Sequence, residues 1–286
     1  VFLSLGQKRA GLQSKSLHVG KIRWHYLSGG RGPLLLMLHG FGGDASNWLQ
    51  LARQLRHHFT LVIPDLPGFG DSELPDLLHF DVESQAWRLE AFLDALGTEQ
   101  CLIAGNSMGG YLAAALAAQS PRRVAALWLL APLGIRAVEP GYMLKRVDSG
   151  ALEYLEINST RQFRQLVLPH MFAMRRWLPS PLVRVLARRA IAMRAQSPRM
   201  LREARFESEP LETIASRVDV PVLIQWGASD EVTNPLGIDI LKASFKNATC
   251  SVTPNCGHLP MLEHPAESAR LLLEFVDQKA LIQGRG

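Results

Sequence analysis

Short apolar runs recur along the chain with helix-length intervals between them. Leu34 to His39, Leu61 to Asp65, Cys101 to Ala104, Val124 to Leu130 and Val222 to Trp226 are largely continuous in apolar side chains, without alternation. A strand reads this way when both of its faces are covered, as in a parallel sheet. Thr249 to Pro254 reads as the last strand of the series. Between the runs, Ala45 to Leu55, Asp81 to Leu96, Met108 to Gln119 and Leu236 to Phe245 are helical in pattern. Ala266 to Lys279 is a final helix that follows Pro265 at its favoured first turn. Leu17 to Val19 and Lys21 to Leu27 flank a turn at Gly20 and predict an antiparallel hairpin on the sheet edge. The alternation predicts an α/β protein: a mostly parallel sheet of eight strands with helices on both faces.

One region breaks the rhythm. From Gly134 to Pro210 there is no strand candidate, only helical pieces interrupted by Pro140, Pro169, Pro179, Pro181 and Pro198. Lying between the sixth strand and the seventh, it predicts a helical lid above the sheet. The expected division is therefore an N-terminal segment (1–16), a core formed by 17–133 and 211–286, and a lid insertion (134–210).

Composition narrows the class. With 286 residues, 47% hydrophobic and 20% charged, the chain can bury a large core and is not disordered. A net charge of +5 is mildly basic, but no helix-turn-helix, zinc or RNA-binding signature accompanies it, so no nucleic-acid partner is expected. Cys101, Cys250 and Cys256 have no metal-binding spacing, which leaves only a Cys250–Cys256 bridge open. Neither a metal nor a cofactor is expected. No apolar run reaches the length of a membrane span. Val1-Phe-Leu-Ser-Leu-Gly followed by Lys8-Arg9 reads either as the stub of a membrane anchor or as a first turn docked on the core.

Candidate chemistry begins at Gly105-Asn-Ser-Met-Gly-Gly110, where a strand becomes a helix. The G-x-S-x-G spacing is that of a nucleophile elbow, a strained turn that exposes the Ser107 hydroxyl. Gly105 and Gly109 remove side chains that would collide across the turn, and the first helical amides point at the reaction centre. A serine needs a base, and His258 falls on the loop between the last strand and the last helix. The base needs an acid, and Asp230 directly follows the seventh strand in Trp226-Gly-Ala-Ser-Asp230, with Glu231 as its nearest rival. The order Ser107, Asp230, His258 is that of an α/β-hydrolase. Oxyanion donors are then expected from the Met108 amide and from the Phe41 amide in His39-Gly-Phe-Gly-Gly43, with His39 bracing that loop. Asp65-Leu-Pro-Gly-Phe-Gly-Asp-Ser72 lacks the third glycine of a dinucleotide fingerprint and reads as a turn bordering the site.

On these residues the chain resembles the α/β-hydrolase superfamily over nearly its whole length. His39-Gly-Phe-Gly-Gly-Asp-x-x-Asn-Trp48 and the tail around His258 are similar to a bacterial lipase and esterase branch. That branch includes monoacylglycerol-lipase-like enzymes and membrane-anchored phospholipase A enzymes of the PlaF type. The resemblance implies cofactor-free hydrolysis of carboxylic esters of fatty acids; the alternative on the same fold is carbon–carbon hydrolysis of ring-fission dienoates. It also implies a bacterial envelope location at the inner membrane, the other reading being cytoplasmic. Met171, Phe172, Met174 and Trp177 are candidates for lining a fatty-acyl tunnel, or else plain core packing. Residues 134–210 carry fourteen Lys or Arg against seven Asp or Glu, a surplus of seven that exceeds the +5 of the whole chain. Within them, Ser180 to Ala195 is amphipathic, with Leu182, Leu186 and Met193 on one face and Arg184 and Arg188 opposite. Such a helix suits an anionic lipid surface, or a solvated outer face. Oligomeric state is not legible.

Overall fold

The computed structural model describes residues 2–75, 78–173 and 180–281. Its centre is an eight-stranded sheet: β1 (Leu12–Val19), β2 (Ile22–Gly30), β3 (Leu34–Leu38), β4 (Thr60–Pro64), β5 (Cys101–Asn106), β6 (Val124–Leu130), β7 (Val222–Gly227) and β8 (Ala248–Thr253). The spatial order is β1-β2-β4-β3-β5-β6-β7-β8. β2 runs antiparallel to both β1 and β4, and every other pairing is parallel. One line of register crosses the parallel part through Leu36, Ile103, Leu127, Val222 and Ala248. The continuous apolar runs follow from this: β5 is buried at every position, because helices cover it on both sides.

Two apolar cores sit on opposite faces of the sheet. One gathers Leu36, Ile103, Leu127 and Ile224 with the helices Val82–Ala95 and Met108–Gln119. The other gathers Leu35, Met37, Ala104 and Trp128 with Leu49–Leu55 and Pro265–Gln278. Residues of β3 to β7 alternate between the two, so each of these strands feeds both cores, whereas β8 meets only the first, through Ala248 and Cys250.

The N-terminal part differs from expectation. β1 starts at Leu12 rather than Leu17, so five residues assigned to the N-terminal segment belong to the sheet. Leu12-Gln-Ser-Lys-Ser-Leu-His-Val19 is mostly polar because an edge strand with an exposed face needs few apolar side chains. Residues Phe2–Ala10 form a helix packed against Leu49–Leu55, with Ala10 fully buried. No helix among the described residues is long and apolar enough to cross a membrane.

Between β6 and β7 the described residues form helices and no strand: Tyr142–Asp148, a broken helical stretch from Thr160 to Met171, Ser180–Met193, Ser197–Phe206 and the short Leu211–Ala215. Ile157, Phe163, Val183 and Ala187 form a small core of their own there. Val183 and Ala187 are thus the fully packed face of Ser180–Met193, while Arg184 and Arg188 are exposed. All three cysteines are free, which removes the Cys250–Cys256 bridge.

Candidate active site

Parallel strands deliver their C-terminal ends to one edge of a sheet, where ligands of α/β proteins collect. Phe41 follows β3 there, Ser107 follows β5, Asp230 follows β7 and His258 follows β8. Sequence separation is irrelevant once the strands are laid side by side.

Ser107 joins β5 to the helix Met108–Gln119 with φ 54° and ψ −118°. A residue with a Cβ pays about 1–3 kcal/mol for such a conformation. The surroundings hold it: the Ser107 N–H donates to Leu130 O at 3.0 Å, and Ser107 O accepts from the Gly110, Tyr111 and Leu133 amides at 3.0–3.1 Å. A Cβ at Gly105 would overlap the Gly109 carbonyl oxygen, and one at Gly109 would overlap that of Leu38. Both glycines are therefore spatial necessities. Met108 opens the helix, so its amide has no acceptor within it.

The Asp230 carboxylate is buried and accepts five hydrogen bonds. Oδ1 takes the Val232 and Thr233 amides at 2.8 and 3.1 Å, while Oδ2 takes Trp226 Nε1 at 3.1 Å, Thr233 Oγ1 at 2.8 Å and His258 Nδ1 at 2.8 Å. Hydrogen bonds to an ionised acceptor are about twice as strong as neutral ones, so this carboxylate is firmly oriented. With Nδ1 turned to Asp230, the imidazole of buried His258 presents Nε2 to the remainder of the site. Among the described residues, Nε2 and the Ser107 hydroxyl are not hydrogen-bonded to each other. A hydroxyl and an imidazole so placed can still come into hydrogen-bond reach when a substrate orders the site. The two loops are nevertheless tied: Asn106 Nδ2, next to the serine, donates to His258 O at 3.1 Å and to Leu130 O at 3.0 Å.

The loop after β3 packs against the serine. A Cβ at Gly40 would stand 3.0 Å from Ser107 Cβ, and Gly43 N–H donates to Gly40 O at 3.0 Å. His39 braces it as expected: Nδ1 donates to Gly40 O at 2.8 Å, and Nε2 accepts the Leu66 N–H at 3.0 Å. Complete burial depresses the basicity of this ring, against smaller opposing effects from Asp65 and the Gly40 carbonyl. The adjacent Phe41 ring sits edge-on to Phe69 at 5.7 Å.

Beside these loops lies a mainly apolar cavity of about 160 Å³. Phe41, Phe163, Met171, Phe172, Ala190 and Met193 are among its walls. Two of the four predicted tunnel residues, Met171 and Phe172, thus face it, whereas Met174 and Trp177 lie outside the described residues.

His25, Asp65 and Asp71 are the one group among the described residues whose donor atoms cluster closely enough for a metal ion. The Asp65 carboxylate already accepts from His25 Nδ1 and from the Ala45 and Asp71 amides at 2.7–2.8 Å. Burial alone would raise its pKa, but these donors and the nearby His39 outweigh burial and lower it. Asp65 is a structural junction under the loops.

Three contributors were not singled out from sequence: Asn106, Trp226 as an indole donor, and Thr233. Trp226 stood in the quoted motif, and Thr233 lies three residues beyond Asp230, where its amide and hydroxyl both reach the carboxylate.

A family profile for the alpha/beta hydrolase fold matches residues 33–265. Lipase 1 of Psychrobacter immobilis is 32% identical over 83% of this chain and 75% of its own length. Human monoacylglycerol lipase ABHD6 is 27% identical over 94% and 84%, respectively. Among solved structures, a bacterial membrane phospholipase A superposes with a TM-score of 0.91 at 35% identity, covering 96% of this chain and 89% of that one. A 2-hydroxy-6-oxo-6-phenylhexa-2,4-dienoate hydrolase from a Rhodococcus species reaches 0.82 at 24% identity, over 93% and 99%, which is likeness of fold alone.

Proposed function

The chain belongs to the α/β-hydrolase fold family, and from that premise we propose that Ser107, His258 and Asp230 are its catalytic triad, with the Phe41 and Met108 amides as oxyanion donors. It is a carboxylic ester hydrolase of the lipase type. The observation that carries the triad is the Asp230–His258 contact of 2.8 Å, at the sheet edge where the strained elbow presents Ser107.

The geometry supports a two-stage acyl transfer. His258 Nε2 takes the hydroxyl proton as Ser107 Oγ bonds to the ester carbonyl carbon. The carbonyl oxygen becomes an oxyanion between the two amides, each worth about 3 kcal/mol of barrier. As the carbon–oxygen ester bond breaks, the proton passes from His258 to the departing alkoxide, releasing the alcohol and leaving Ser107 acylated. Water then replaces the alcohol: His258 removes its proton, its oxygen attacks the acyl carbon, and the returning proton frees Ser107 and the fatty acid. Asp230 orients the imidazole and stabilises it while it is protonated.

The apolar cavity beside Phe41 supports a fatty-acyl chain as the bound group. Above it, residues 134–210 act in this reading as a lid whose surplus of seven positive charges faces an anionic lipid surface, placing the enzyme at a bacterial inner membrane. Phospholipids, lysophospholipids and monoacylglycerols are the substrate classes to test. A panel of these lipids, with Ser107→Ala as control and co-sedimentation on anionic and neutral vesicles, tests both parts. Faster cleavage of a ring-fission dienoate than of any ester, or equal binding to both vesicles, would overturn the corresponding part.

A further inference from the structure

Glu263 is a buried carboxylate that takes amides from two separate pieces of chain. Oε1 accepts the Gly257 N–H at 2.8 Å, one residue before the proposed base. Oε2 accepts the Ala173 N–H at 2.9 Å, from the helical region between β6 and β7. The same two pieces also meet directly, because the His258 N–H donates to Met171 O at 3.1 Å. They are in backbone contact: a Cβ at Gly257 would stand 2.7 Å from Ala173 N and 2.9 Å from the Phe172 carbonyl carbon. Met171 and Phe172 in turn line the acyl cavity.

Glu263 ends the short helix Pro260–Glu263, and nothing in that local role requires its two oxygens to reach Gly257 and Ala173. An ionised acceptor strengthens both bonds and gives them direction. We infer that Glu263 is a positioning residue that locks the loop of the imidazole and the acyl-binding wall into one unit. The reach of the base and the shape of the acyl site are then set together. The inference rests on the proposed triad and on the cavity as the acyl site.

The test compares Glu263→Gln, which offers one acceptor oxygen in place of two, with Glu263→Ala, which offers none. Active sites are titrated with a fluorophosphonate so that kcat is counted per competent enzyme, on p-nitrophenyl butyrate and laurate. Glu263→Ala is expected to lower kcat on both esters about tenfold, as a misplaced base does, and to cut the laurate-to-butyrate ratio of kcat/KM roughly fivefold. Glu263→Gln should fall between it and the parent. Hydrogen exchange keeps the question open to refutation if the alanine variant does not fold: in Glu263→Gln, residues 171–173 and 256–258 should lose protection together. Unchanged kcat and ratio per titrated site in both variants would overturn the inference, as would loss of protection in one segment alone. Failure of the triad itself has a different signature, namely parent enzyme unlabelled at Ser107 or full turnover by Ser107→Ala.

Discussion

Asn106 Nδ2 lies 3.1 Å from the carbonyl oxygen of His258, so the residue before Ser107 holds the backbone of His258. Its other proton goes to Leu130 O at 3.0 Å, which also fixes the end of β6. Asn106→Ala strips the buried His258 carbonyl of this donor, at a cost of about 1–3 kcal/mol, while Leu130 O keeps the Ser107 N–H at 3.0 Å. The expected result is a lower unfolding midpoint together with a roughly tenfold fall in kcat at nearly constant KM on a short ester. Steady-state kinetics beside urea denaturation separates the two effects.

Ser107→Gly should abolish ester turnover and yet stabilise the fold by about 1 kcal/mol, because glycine adopts the φ of 54° without strain. Ser107→Ala should be equally inactive without that gain, since it keeps the Cβ. Chemical denaturation of the pair measures the difference.

Two histidines should tilt stability with pH in opposite senses. His39 is held neutral by burial, so its folded pKa lies below that of the unfolded chain. Its contribution is full above about pH 6.5, the unfolded value, and is lost as pH falls. His25 is raised chiefly by its hydrogen bond to Asp65, against burial. Its contribution is full below the unfolded pKa and is lost as pH rises through the folded value. Denaturation midpoints followed between pH 5 and 9 should therefore flatten on the acid side in His39→Asn and on the alkaline side in His25→Asn.

Ala190 lines the cavity, and its helix also carries Leu186 and Met193 to the same wall. Ala190→Phe should fill much of the roughly 160 Å³ and shift preference toward short acyl groups. Butyrate hydrolysis should be nearly unchanged while laurate hydrolysis falls about tenfold, on the scale of 1–3 kcal/mol for mismatched apolar fit. A p-nitrophenyl ester series from four to sixteen carbons reads this directly.

The parallel strands were legible because burial on both faces leaves no room for alternation, and β6 spans Val124–Leu130 as its apolar run predicts. That Ser107, Asp230 and His258 gather at one sheet edge was legible because parallel topology puts strand ends there, so position relative to each strand carries the information. β1 was legible only in part, since its polar side chains answer to solvent. The packed face of Ser180–Met193 was legible in part: Leu186 and Met193 turn inward as read, but the fully buried Val183 and Ala187 meet Ile157 and Phe163, partners that periodicity cannot name. Glu263 was hidden for the same reason, as Ala173 is remote in sequence and only the folded chain brings the two together.

β5, which leads to Ser107, lies in the middle of the sheet, while β8, which leads to His258, is an edge strand made well after it. A ribosome adds about 5–20 residues per second, so the elbow and its supports at Leu130 and Leu133 emerge on the order of ten seconds before His258 exists. The proposed triad is therefore completed only when β8 docks along β7, by which time the helical pieces between β6 and β7 have already been made.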